Sequence, residues 1–284
     1  MKKIFLVFSL IFVGIFALAQ ENTKMQRLMN LVENMQIVAS EDFPVPFDWS
    51  YLPQDQEAFD VFTVASEKYK QNPQNFAAVY NYAMVLAHQN QGNGSVASFQ
   101  AYELFEEAKS LNKDFWPLYQ EQEKLMVNYY FYGTIDAPLN FIEKVDRYEG
   151  LFEFALKRLD LIENQVRLRA KNINYLDGAL ICRLKKDADG ERFFLKKAGG
   201  IKALKEEVRK AALEIQKGLF AEEAPSWHMQ ANAVMALDKN LKKINEFYGE
   251  YLSDVEEYQA LVQQVQKEKE KINKWFGGKV SGFR

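Results

Sequence analysis

Cysteine and histidine are almost missing from this chain, whose 284 residues include Cys182 alone and only His88 and His228. A single cysteine excludes an intramolecular disulfide, so packing must hold the fold together, and the thiol reads most simply as a small buried hydrophobe. Two histidines exclude a three-histidine zinc site, and neither lies at metal-ligand spacing from other donors. The chain also lacks a phosphate-cradling glycine loop, a serine elbow and a dinucleotide fingerprint. Asp187-x-Asp189-Gly190 resembles a calcium loop only in part: Lys185 stands where the first ligand belongs and Lys196 where the closing glutamate belongs. No cofactor or metal is expected, and no enzyme motif is present. Large positive charge is missing too, since the formal net charge is −3, which argues against a uniformly basic nucleic-acid binder.

Long apolar runs are confined to the beginning. Residues 1–19 carry Lys2 and Lys3, an apolar stretch from Ile4 to Phe16, and Ala17-Leu18-Ala19 before polar Gln20. That order is the pattern of a secretory signal cleaved after Ala19. The expected product is exported, periplasmic or secreted, with no stable membrane span, because an anchor needs roughly 20 apolar residues. The simple Lys-Lys start and the Phe-, Lys-, Asn- and Tyr-rich composition point to a bacterial cell envelope. With 48% hydrophobic residues, the remainder is rich enough in apolar side chains for one large or two small cores.

Helical periodicity dominates the rest of the chain. Met25, Leu28, Leu31, Met35 and Val38 mark a first helix, and Pro44, Pro46 and Pro53 among Phe43, Phe47, Trp49 and Tyr51 mark an extended connection. Helices are expected over Gln54 to Gln71, Phe76 to Asn90 and Ala97 to Leu111, separated by Asn72-Pro73 and by a turn around Gly92 and Gly94, with Asn112-Lys113 as a stop. Two of them spell one small-large-small phrase: Ala58, Phe62, Ala65, then Ala101, Phe105, Ala108. Each triplet falls on one helix face, where the alanines admit a neighbouring helix closely.

Val79, Tyr82, Ala83 and Leu86, followed by Ala101, Phe105 and Ala108, give an order that resembles the tetratricopeptide repeat, and Asn72-Pro73 matches that family's proline between units. The resemblance covers residues 54–130, with Gln54 to Gln71 as half a preceding unit and Trp116 to Tyr130 beginning a following one. About six extra residues around Gly92 and Gly94, and Lys113 in place of a closing proline, depart from it. Alanine and aromatic periodicity of this kind also occurs in unrelated helical bundles. The resemblance implies a groove near Tyr80, Asn81 and Met84 that holds a protein or peptide.

Beyond Gly133 the phrase disappears, giving an expected division into 20–132 and 133–284. Helices are expected over Leu139 to Val145, Leu151 to Lys171 and Ile201 to Leu219, the last with the stripe Ile201, Leu204, Val208, Ala211, Ile215 and Leu219. Between them, residues 179–195 read either as a small β-hairpin turning at Asp187-Ala188-Asp189-Gly190 or as two helices broken at Asp189-Gly190. Ser226 to Leu237 is a further helix, and Leu241 to Phe276 a long terminal one. In it Tyr248, Val255 and Val262, with Tyr251, Tyr258, Val265 and Ile272, trace a coiled-coil-like seam interrupted by Lys269. That seam faces either an earlier helix or a second copy of the chain, so the oligomeric state stays open.

The fold class expected is therefore all-α, with tetratricopeptide-like hairpins followed by a longer-helix bundle. The paired acids Glu106-Glu107, Glu206-Glu207 and Glu256-Glu257 point about 100° apart on their helices and read as solvated faces. Residues 157–217 hold 16 Lys plus Arg against 9 Asp plus Glu, a basic middle able to meet an anionic surface or to pair with acidic flanks. The expected function is an interaction or assembly module with a protein or peptide partner. A carboxylate-dependent hydrolase and a self-associating structural protein are the alternatives.

Overall fold

The computed structural model describes residues 56–89, 96–128, 139–220 and 227–280. The expected signal segment, the expected helix over 23–38 and the proline-aromatic stretch over 42–53 lie outside them. All regular structure among the described residues is helical, with no strand. The chain divides into two compact units, one up to Leu125 and one from Met126 onward.

In the first unit, α1 (Gln56–Gln71) packs on α2 (Phe76–Gln89) and α2 on α3 (Val96–Leu111), with α4 (Trp116–Met126) following. Two turns of matching form join α1 to α2 and α3 to α4. The N–H of Asn72 closes α1 onto the Lys68 carbonyl at 3.0 Å, and that of Asn112 closes α3 onto the Ala108 carbonyl at 2.9 Å. The Asn75 side chain accepts from the Ala78 N–H at 3.1 Å, a cap for the otherwise unsatisfied first turn of α2, and Asn112 accepts likewise from the Asp114 N–H at 3.2 Å. Ala65, Val79, Ala83, Ala101, Phe105 and Ala108 are buried, so the alanines lie where helices pack and Phe105 fills the space between them.

The second unit contains α5 (Phe141–Gly150), α6 (Phe152–Arg167), α7 (Tyr175–Lys185), α8 (Ala188–Ala198), α9 (Ile201–Leu219), α10 (Trp227–Leu252) and α11 (Glu256–Val280). Short α5 is its centre, touching α6, α7, α9 and α10. Asn140 and Glu143 start it with a reciprocal capping box. The stripe of α9 is buried at Leu204, Val208, Ala211 and Ile215, and its bounds coincide with the expected ones.

Of the two readings of residues 179–195, the structure shows the two helices and no hairpin: they belong to α7 and α8, with the break at Lys186-Asp187, ahead of Asp189-Gly190. Lys186 takes a left-handed conformation (φ 62°) that closes α7, and the Asp187 carboxylate accepts from the Gly190 N–H at 2.9 Å to cap α8. The Asp-Ala-Asp-Gly cluster thus serves as a helix start. The long terminal helix is likewise two antiparallel helices. Nothing interrupts the chain between Leu237 and Leu241, where Asp238 and Lys242 pair one turn apart at 2.9 Å. The break comes at 253–255, where Ser253 and Asp254 favour turn over helix and Glu256 and Glu257 suit the positive start of α11. The seam therefore folds on itself. Tyr248, Val255, Tyr258, Val265 and Ile272 are buried, whereas Tyr251 is exposed. Lys269, which interrupts the pattern, reaches Asp238 across the hairpin at 2.6 Å.

Candidate functional site

The groove residues named from the sequence lie inside the first unit. Tyr80, Asn81 and Met84 are 2%, 4% and 6% exposed on α2. Tyr80 sits among aromatic rings, with centroids 5.7 Å from Phe76, 6.0 Å from Phe105 and 5.3 Å from Phe115. Burial, with the Glu121 charge adding to it, pushes the Tyr80 phenol well above its ordinary range. Tyr82 is similarly enclosed, 5.8 Å from Phe62 and 5.3 Å from Tyr69. What α3 turns to solvent is different: Phe99, 50% exposed, with Gln100, Glu103 and Glu106 along the same side.

In the second unit a buried polar constellation joins α5, α6 and α7, and the helical stripes did not disclose it. Asp177, in the first turn of α7, meets the Arg158 guanidinium at 2.6 Å and the Lys144 ammonium at 3.0 Å. Tyr148 donates to the same carboxylate at 3.1 Å, and Arg158 also donates to the Tyr148 hydroxyl. Arg158 and Asp177 are 2% and 4% exposed. Burial alone would push the carboxyl up, but Arg158 and Lys144 outweigh it and hold Asp177 below its ordinary value. The only advance signal was Arg158 itself, one helical step from Ala155 and Ile162 on the buried face of α6.

Cys182 is buried in α7, and burial, reinforced by Asp187 and Glu163, pushes its thiol up to about 12, the reverse of what a nucleophile needs. The α7–α8 pair is close: a Cβ on Gly178 would lie 2.9 Å from the Phe194 ring, and one on Gly190 would lie 2.8 Å from Cys182 Sγ. Glu191 binds Arg183 at 3.1 Å, and Arg183 also donates to the Phe247 carbonyl at 2.7 Å, tying α7 and α8 to α10. Burial raises the carboxyls of both Glu191 and Glu143, and both already have structural partners, Arg183 and the α5 cap. Among the described residues no group of three His, Cys, Asp or Glu is arranged to hold a metal ion. The side chains of His88 and His228 lie outside the described residues.

Around this interior, α8 presents an outward face of Asp189, Arg192, Phe193, Lys196 and Lys197. Phe193 is 43% exposed, and the Lys197 ammonium lies 5.7 Å from its ring centroid. Among the described residues no helix is long and apolar enough to cross a membrane. No family model, curated protein or solved structure matches the chain.

Proposed function

We propose that this chain is an exported helical interaction or assembly module of the bacterial cell envelope, built from tetratricopeptide-like hairpins over 54–130 and a helical bundle beyond, with a protein or peptide as partner. Paired helices joined by short capped turns offer solvent faces whose side chains are free of packing duties. One observation carries the reading. Phe99 is half exposed on α3, four residues before exposed Glu103, so a large apolar ring and a carboxylate share one helix face.

That face takes the place of the groove near Tyr80, Asn81 and Met84, since those three side chains fill the space themselves. The partner suited to it supplies an apolar pocket for Phe99 and a cation for Glu103. The test compares proteins retained from an envelope extract by the wild-type chain and by Phe99→Ser and Glu103→Gln variants of unchanged circular dichroism. Loss of one specific partner from both variants is expected, in a product beginning at Gln20. Identical partners for all three chains would overturn the assignment.

A further inference from the structure

We propose that the outer face of α8, with the lysines bordering it, is a docking surface for an anionic lipid bilayer. This inference does not rest on the protein-partner reading and concerns the other unit of the chain.

Residues 183–202 contain seven Lys and Arg against three Asp and Glu. The structure assigns each acid to one cation. Glu191 binds Arg183 at 3.1 Å, Asp189 binds Arg192 at 3.2 Å, and Asp187 faces Lys185 at 3.9 Å. Lys186, Lys196, Lys197 and Lys202 remain, all exposed and none with a carboxylate partner among the described residues. The local excess of four positive charges is therefore carried by four side chains pointing to solvent, with Phe193 between Lys196 and Lys197 on α8.

Chemistry and shape together select the occupant. The free cations are ammonium groups on flexible stems, which act as point charges and lack the planar fork that reads a single carboxylate or phosphate in two-point fashion. Lys196 and Lys197 flank Phe193 on the outer side of α8, Lys186 precedes that helix and Lys202 follows it in the first turn of α9. Charges spread over neighbouring elements in this way suit a plane of charge better than a narrow polar pocket. Phe193 has an apolar ring with no hydrogen-bonding group to satisfy, so it can enter the boundary between headgroups and acyl chains while the lysines stay at headgroup level. The face is backed by packing: Phe194 lies against Gly178 beneath it, Asp187 caps the start of α8, and left-handed Gly199 closes its end. Charge complementarity to an anionic surface thus coincides with an exposed ring at its centre.

The test is sedimentation of the full chain with vesicles of phosphatidylcholine alone and of phosphatidylcholine mixed with phosphatidylglycerol. Binding to the mixed vesicles only, weakening as salt rises, is expected. Each neutralised lysine is expected to lower partitioning about fivefold, so Lys196→Gln/Lys197→Gln should bind about 25-fold more weakly, and Lys196→Arg/Lys197→Arg like the wild type. Phe193→Ser should lose about threefold to tenfold. Lys210→Gln/Lys217→Gln, on exposed positions of α9, should match the wild type. Equal binding to both vesicle types, or a Lys196/Lys197 variant that binds undiminished, overturns the proposal. So does equally tight binding to soluble polyglutamate, which would point to an acidic protein. Partner capture through Phe99 should be untouched by the α8 variants, so the two readings fail separately.

Discussion

Replacing Asp177 by Asn keeps the shape of the side chain and removes the carboxylate charge that Arg158, Lys144 and Tyr148 share. The Arg158 guanidinium, 2.6 Å away and 2% exposed, then loses this carboxylate while it stays buried, whereas Lys144, with 14% of its side chain exposed, can reach toward water. Breaking a buried pair by removing one partner costs about 3–5 kcal/mol, chiefly through the charge left behind. Near 2–4 °C per kcal/mol for a unit of this size, the melting temperature should fall roughly 10 °C. Cys182 offers a readout confined to this unit, because the chain's one thiol is buried in α7 and reacts only when the unit opens. Thiol labelling against urea concentration should show a midpoint lowered by about 1–2 M with an unchanged slope.

The pH dependence gives an independent check. Because Asp177 is held below its ordinary value of 3.8 in the folded chain, the unfolded chain binds the proton more readily there, and the contribution is present in full above about that pH. It is lost as pH falls through the lower folded value. The stability gap between wild type and Asp177→Asn, followed by circular dichroism in urea, should therefore be constant from pH 7 to pH 5 and shrink below about pH 4. An apolar pair, Arg158→Met with Asp177→Leu, should cost less than the sum of the two single changes by about 2 kcal/mol or more. A loss under about 1 kcal/mol for Asp177→Asn, or strict additivity in that cycle, would refute the claim that Asp177 neutralises a buried cation.

Two glycines should respond in opposite directions in urea unfolding. Gly178→Ala places a methyl 2.9 Å from the Phe194 ring and should destabilise by about 1–2 kcal/mol, whereas Gly218→Ala meets nothing within 4 Å and should stabilise by about 0.5–1 kcal/mol through helix propensity. Native Cys182 should resist a thiol reagent at pH 8 and react stoichiometrically in denaturant, since its thiol is buried and pushed up to about 12; rapid native labelling would contradict its placement.

Periodicity carried most of the secondary structure, and α9 shows why. Leu204, Val208, Ala211 and Ile215 recur at threes and fours, no special residue intervenes, and both ends are marked by glycine. Where chemistry rather than period sets the boundary, the sequence was ambiguous. Asp187-Ala188-Asp189-Gly190 satisfies a hairpin turn and a helix cap equally well, and the choice fell to packing that brings Phe194 over Gly178. The Tyr248 to Ile272 seam keeps its spacing across the 253–255 turn, so period alone could not show that the chain reverses. The Asp177 cluster was hidden for another reason. Its members are 33, 29 and 19 positions from Asp177 and meet only when three helices are assembled, while stripe reading discards charged residues from buried faces.

The same assembly limits what the polar groups of the second unit can do. Asp177, Glu191 and Asp238 are each held by cations from other helices: Lys144 and Arg158, Arg183, and Lys269. Such pairs fix which helix meets which, and they leave the buried acids little freedom to move. The lysines bordering α8 are the counterpart, fixed at their backbone and free at their ends. A folded partner would have to immobilise each stem, at a cost near 0.5–1.5 kcal/mol per side chain, before an ion pair contributed. A diffuse anionic plane makes no such demand, because an ammonium is attracted wherever it lies within a Debye length of the surface. Exposed cations on a packed helix are therefore an arrangement that favours a charged surface over a single charged residue, and Lys196→Arg/Lys197→Arg should preserve it.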